Sequence, residues 1–392
     1  MKIVRKFFDN LKPKVAKGSK FYWLHSTVEA FDSFAFVPKT TAKSGAHLRD
    51  AIDMKRAMSV VIVAVIPALL FGMYNVGYEH YLSHGQSMAE VGFWQTFWYG
   101  FLKVLPLIVV SYVVGLGIEF AFAQKRGHEV NEGYLVTGML IPLICPPDVP
   151  LWQLALAVAF AVIIGKEIFG GTGMNFLNPA LVARAFLFFS YPSQMSGDTV
   201  WIADKADAIS GATALGEMMT GGVQPHYSIL DMFLGFIPGC VGETSVVAIL
   251  IGAAILLVTG IASWRIMLSV FVGGAAMGLT FNLLGSSTNA YMQLPFYYHF
   301  LMGGFMFGAV FMATDPVTSS QTNKGKYIYG LLIGIMAVLI RVVNPAYPEG
   351  MMLAILLLNV FAPLIDYFVV DSNIKKRAKR WKLVDGGHKD IN

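Results

Sequence analysis

The sequence predicts an all-α protein that crosses a membrane many times, and three observations predict it. Hydrophobic residues make up 56% of the chain and charged ones only 14%, where soluble domains carry roughly 25% charge. Apolar runs near the length of a membrane span recur throughout, separated by short polar or Gly/Pro-containing connections. The basic residues sit at the ends: 12 of the 29 Lys and Arg precede residue 57 and seven follow residue 370. A net charge of +5 distributed in this way reads as membrane topology and argues against a nucleic-acid partner.

Taken in order, residues 1–56 form no span and make an extended cytoplasmic arm. "MKIVRKFFDNLKPKVAKG" suits a basic amphipathic helix beside anionic lipid headgroups, and "FYWLHSTVEAFDSFAFVP" brings aromatics that pack on the membrane domain or line a lipid-level pocket. About ten spans follow, at 57–78, 95–122, 130–146, 150–168, 179–192, 228–256, 264–284, 297–313, 327–343 and 349–370. The positive-inside rule supports the count. Lys55-Arg56, Lys125-Arg126, Lys166, Trp264-Arg265 and Lys324/Lys326 alternate with connections poor in Lys and Arg, and "KKRAKRWK" closes the chain. Both termini are therefore expected in the cytoplasm and the 193–227 loop outside; Arg341 is the one exception to the alternation. No short apolar segment with a small-residue cleavage site suggests a signal peptide.

An internal repeat organises these spans. Asn-Pro-Ala occurs at 178–180 and 344–346, while Gly138/Gly308, Pro147/Pro316 and Gly165/Gly334 share nearly the same spacing of 166 to 170 residues. The reading is a first five-helix repeat at 57–192, an external loop at 193–227, a second repeat at 228–370 and a basic cytoplasmic tail at 371–392. Five spans per repeat inverts the second against the first, a transporter-like arrangement with sites near the repeat interface.

Four places carry candidate chemistry. The 193–227 loop contains Asp207, Ser210, Gly211, Ala212 and Thr213, where hydroxyls stand among residues with little bulk, although an ordinary turn before a helix has the same composition. "GKEIFGGTGMNFLNPALVARAF" at 165–186 joins Gly171, Asn175 and Asn178 to a helix opened by Pro179; a plain capped helix start is the alternative. Ionisable residues inside spans are functional candidates by default. They are Lys103, Glu119 and Asp366, with Asp315 at a membrane-edge Thr-Asp-Pro. The carboxylates suit a hard cation such as Na⁺ or else snorkel to the surface. Cys145 and Cys240 read as core residues.

Together "HEVNEGYLVTG", "GKEIFGGTGMNFLNPALVARAFLFF", "DAISGATAL", "FMATDPVTSS" and "RVVNPAYPEGMMLAILL" resemble the NqrB/RnfD family, flavin-carrying membrane subunits of bacterial redox-driven ion pumps. The likeness runs from about residue 20 to 380, and the long basic arm leans towards the sodium-pumping NADH:quinone oxidoreductase branch. The resemblance implies FMN joined to Thr213 through a phosphoester, installed from FAD by a flavin transferase, with Asp207, Ser210 and Gly211 in the same loop. It implies noncovalent riboflavin at Gly171, Asn175 and Asn178, a quinone region at Gly115 and Leu116, and a sodium path through Glu119 and Asp366. The family's Gly-Gly pair in the second span is here Gly115-Leu116-Gly117, a departure.

The expected function follows from this resemblance: a translocase subunit of the bacterial inner membrane, inactive alone, carrying electrons from external FMN to internal riboflavin to ubiquinone with Na⁺ export. The implied partners are membrane lipid and the A, C, D, E and F subunits of the Nqr complex. NADH chemistry falls to one of those subunits, since the chain has no dinucleotide motif. One competing reading is an RnfD-like subunit of a ferredoxin:NAD⁺ oxidoreductase. A reading from another class is a passive solute channel with paired Asn-Pro-Ala loops.

Overall fold

Glycine and proline, more than any loss of hydrophobicity, decide where these helices stop. A computed structural model describes the chain apart from residues 1, 17, 20, 37–41, 49–51, 87, 128–132, 207–208, 220–224, 287–288, 345–348 and 389–392, and apart from the side chains of 2–4, 33–35, 88–89 and 382–388. Among the described residues the regular structure is helical, with no strand. The arm holds α1 (Lys2–Leu11) and α2 (His25–Ala35). Next come α3 (Met54–Ser83), α4 (Phe93–Arg126), α5 (Gly133–Leu143), α6 (Leu151–Gly165) and α7 (Pro179–Ser190). After the long loop come α8 (Ala214–Met219), α9 (Ile229–Leu234), α10 (Val246–Val258) and α11 (Trp264–Leu284). A short α12 (Phe305–Phe307) passes into a π-helical turn at Gly308–Met312, and α13 (Asn323–Val343) and α14 (Met351–His388) end the chain.

Among the described residues six helices are long and apolar enough to span a bilayer, and α5, α7 and α10 are shorter apolar helices. The chain is thus an all-α polytopic membrane protein. The structure differs from ten continuous spans at particular places. The 228–256 stretch breaks at Gly235, whose φ of +105° suits glycine and whose α-carbon lies hard against Ser245. The 297–313 stretch breaks at Gly303, where φ is +64°. Mean hydropathy is blind to both, because glycine does not lower it much. Interrupted helices leave irregular backbone at depth, which proteins tolerate only where that backbone is enclosed by protein or lines a cavity.

The glycine landmarks of the expected repeat lie at different kinds of position, and Pro345 and Ala346 of the second Asn-Pro-Ala lie outside the described residues. Gly138 lies in α5 and Gly308 at the π-turn, while Gly165 ends α6 and Gly334 lies within α13. α3 packs on α4 and α10, and α13 packs on α11 and α14. The α3 contacts are backbone to backbone: a methyl at Gly77 would strike the Thr96 carbonyl oxygen, and one at Gly100 that of Met73. On another face a methyl at Gly72 would strike the Val241 carbonyl oxygen. The arm lies on the membrane domain, as Ser26 N and Oγ donate to Gln124 Oε1 at 3.3 and 2.9 Å and Phe31 meets Phe120.

Candidate functional site

The 193–213 loop is held by its own polar groups. Lys205 Nζ donates to the carbonyls of Asp198 and Ile209 at 3.1 and 2.9 Å, and Gly211 N donates to Asp198 O at 3.0 Å. A side chain at Gly211 would crowd that same Asp198 oxygen. The loop is also clasped to α4, where Lys103 Nζ lies 2.6 Å from Asp204 Oδ2 and Tyr99 Oη donates to the same oxygen at 2.8 Å, and to the connection between α5 and α6, where Asp204 N donates to Asp148 Oδ2 at 3.2 Å. Asp204 itself sits at φ +45°, the left-handed region that a side chain disfavours. The Lys103 ammonium beside Asp204 holds its carboxyl below the usual carboxylate range, while burial pushes Asp148 up.

Thr213 ends this loop as the cap of α8, its Oγ1 accepting from Gly216 N at 3.0 Å. The same residue borders a cavity of about 540 Å³, within the roughly 300–1,000 Å³ of small-molecule sites. Ser210 and Thr213 form part of its rim, with Phe188, Met195 and Trp201 as apolar wall. Its floor is ionic: Arg184 Nη1 lies 2.6 Å from Glu243 Oε1 and Arg184 Nη2 3.0 Å from Glu349 Oε2, while Gly304 N donates to Glu349 Oε1 at 2.6 Å. These residues come from α7, the irregular 235–245 segment and the residues just before α14. Asp207 lies outside the described residues.

The Gly-rich loop lies at the other end of α4. Lys103 and Glu119 are separated along α4 by about 24 Å at the α-helical rise, and Glu119 is ion-paired there with Lys166. Both are buried, so Glu119 does not snorkel. Gly170, Gly171 and Gly173 all have positive φ. Asn175 accepts from Gly173 N and donates to Leu177 O. Asn178 caps α7 by accepting from Ala180 N and Leu181 N, and donates to Asp315 Oδ2 at 3.4 Å. Asn175 and Asn178 border a cavity of about 100 Å³, which Gly171 does not line.

The remaining expected site residues are occupied structurally. Gly115 gives way to the Tyr134 ring, whose hydroxyl donates to Ser111 O at 2.8 Å, and Leu116 is half-buried. Asp366 accepts from Ser320 Oγ, Gln321 N, Thr322 N and Thr322 Oγ1 at 2.6 to 3.0 Å, fixing the turn that opens α13. Glu119 and Asp366 share no partner among the described residues. Sequence reasoning misses Arg184, Glu243 and Glu349. Each is a charge inside or beside an apolar run, and that is the signal that could have found them.

Residues 41–375 match the model of the NQR2, RnfD, RnfE family. The chain is 52% identical over 398 residues to the B subunit of the Na(+)-translocating NADH-quinone reductase of Chromohalobacter salexigens, covering 96% of each chain. It is 50% identical over 401 residues to the same protein of Stutzerimonas stutzeri, covering 96% of this chain and 99% of that one. The corresponding Pseudomonas aeruginosa protein is 48% identical over 401 residues, with the same coverage.

Proposed function

The chain belongs to the NQR2, RnfD, RnfE family, and we propose that it is the B subunit of a bacterial Na⁺-translocating NADH–quinone reductase. In this reading it passes electrons across the membrane to ubiquinone while Na⁺ is exported. The relatives that match it end to end carry that name, which favours this role over an RnfD-like one. NADH oxidation belongs to another subunit of the complex.

One observation carries the cofactor assignment: a hydroxyl on a small-residue loop opens onto a cavity of about 540 Å³. Thr213 would hold FMN as a phosphoester, its Oγ1 displacing AMP from the flavin phosphorus of FAD with the help of a transferase. Bound there, FMN would supply one- and two-electron redox chemistry. The chain's own residues orient it. Arg184, paired with Glu243 and Glu349, is fixed in place at the cavity floor, and Phe188 and Trp201 offer flat apolar surface. The charge pattern puts this loop outside and the Gly-rich loop inside, so the two ends of α4 face opposite compartments.

Riboflavin at Gly171, Asn175 and Asn178 fits less well. The Asn175 amide is spent within its own loop, that of Asn178 on the α7 cap and on Asp315, and the adjoining space, about 100 Å³, falls below flavin size. Thr213→Ala tests the main reading: in-gel flavin fluorescence of this chain after denaturation should vanish while the complex still assembles. Persisting fluorescence would place the attachment elsewhere.

A further inference from the structure

α3 carries a buried acid without a counter-charge. Glu79 is 6% exposed, and among the described residues it has neither a hydrogen-bond donor nor a Lys or Arg acting on it. One helical turn earlier, Asn75 is 4% exposed. Its Nδ2 donates to Ile237 O at 2.9 Å, which leaves Oδ1 buried without a partner among the described residues. Residues four apart share a helix face, and Gly72 extends this face by its contact with Val241 O. The face therefore looks onto the irregular 235–245 segment between α9 and α10.

The surroundings are acidic. Glu79 and Glu217 both lie within electrostatic reach of the half-buried Tyr227 hydroxyl, and Glu79 and Asp231 within reach of that of Tyr78. Asn75 Oδ1, buried without a partner among the described residues, costs free energy unless a cation or proton donor meets it, and the unpaired Glu79 carboxylate stands one turn along the same face. Hard oxygen donors beside unwound backbone are the ligand set of alkali-cation sites at broken helices.

We infer that Glu79 and Asn75 Oδ1 form part of a Na⁺-coordinating site between α3 and the 235–245 segment, beside the Thr213 cavity. The inference rests on the proposed function, which supplies the cation. Ile237 links the two places, since its carbonyl holds Asn75 while the residue lines the cavity. Two protein oxygens leave the other coordination positions to water and loop carbonyls. An ion held here stands close to the flavin attachment point, at the end of the helix bundle opposite the Glu119–Lys166 pair.

The experiment uses the intact complex in detergent, with equilibrium binding of radioactive Na⁺ as readout and covalent flavin fluorescence as the check on assembly. Glu79→Gln should weaken one Na⁺ by about tenfold or more with the flavin retained. Asn75→Asp adds a second carboxylate and should tighten the same ion, and it decides the matter if Glu79→Gln fails to assemble. Unchanged Na⁺ binding in the assembled variants would overturn the site. So would altered proton uptake at constant Na⁺ binding, which would make Glu79 a proton carrier. A native complex whose quinone reduction ignores Na⁺ would instead overturn the proposed function.

Discussion

The two ends of α4 hold comparable motifs but differ in what they enclose. At one end the Thr213 loop borders about 540 Å³ of space; at the other the Gly-Gly-Thr-Gly loop borders about 100 Å³. Each end also buries an ion pair, yet the pairs are built differently. Arg184 uses its fork to bridge two carboxylates from separate segments, whereas Lys166 meets Glu119 alone. The difference teaches that three left-handed glycines and two asparagines can serve to fold a loop tightly, and that small residues beside a single hydroxyl can mark a receptacle. Richness in a motif and room for a ligand are separate properties.

The largest effect is expected where the fork is removed. Arg184→Met leaves the buried Glu243 and the half-buried Glu349 without their shared cation, and losing one partner of a buried network costs about 3–5 kcal/mol. The complex should show a much lower melting temperature, and Arg184→Lys should rescue it poorly because a point charge cannot bridge both acids. Full rescue by Lys would make the two ends alike.

The pair at the other end should respond more mildly to a matched change. Glu119→Gln strands the Lys166 ammonium, so stability should fall; adding Lys166→Met should return most of it. In the proposed role the single variant also raises the Na⁺ concentration needed for half-maximal quinone reduction. A single variant as stable as the native complex would show that Lys166 reaches water.

These ionic features are only partly legible in the sequence. Thr213 stands out because its neighbours are small, and the six long helices follow from apolar length. Arg184 and Glu243 fall inside apolar stretches at 179–192 and 228–256, where averaging over a window hides one charge. Arg341 breaks the charge alternation for a reason of packing. It is fully buried, donating to His299 O at 2.7 Å and Met302 O at 3.1 Å, so the topological outlier is an interior residue. Glu79 lies one residue past the apolar run that ends at 78, while α3 continues to Ser83 and carries it inside. The Gly-rich loop is harder, since glycine permits close approach by a ligand or by the chain itself, and here the chain takes the space.

The smallest effect concerns the clasp over the 193–213 loop. Asp204 has a depressed carboxyl pKa, chiefly through its hydrogen bond from Lys103, so its contribution is present above the unfolded value near 3.8 and disappears as pH falls through the lower folded one. Proteolytic nicking of the 193–213 loop should rise only under acid conditions below that range. Lys103→Met should move the onset up towards the ordinary carboxylate range. Nicking indifferent to both pH and Lys103 would mean that the internal hydrogen bonds of the loop suffice.

The glycine contacts of α3 have a mechanical consequence. With Gly72, Gly77 and Gly100 seated against carbonyl oxygens on two sides, α3 has no clearance to roll or slip by one residue. α3, α4 and the 241 region must then travel as one body. The break at Gly235 is tied into the same body, since a methyl there would strike Ser245 and the Phe71 ring of α3, while a methyl at Gly303 would meet Leu215 and Glu349, which line the cavity.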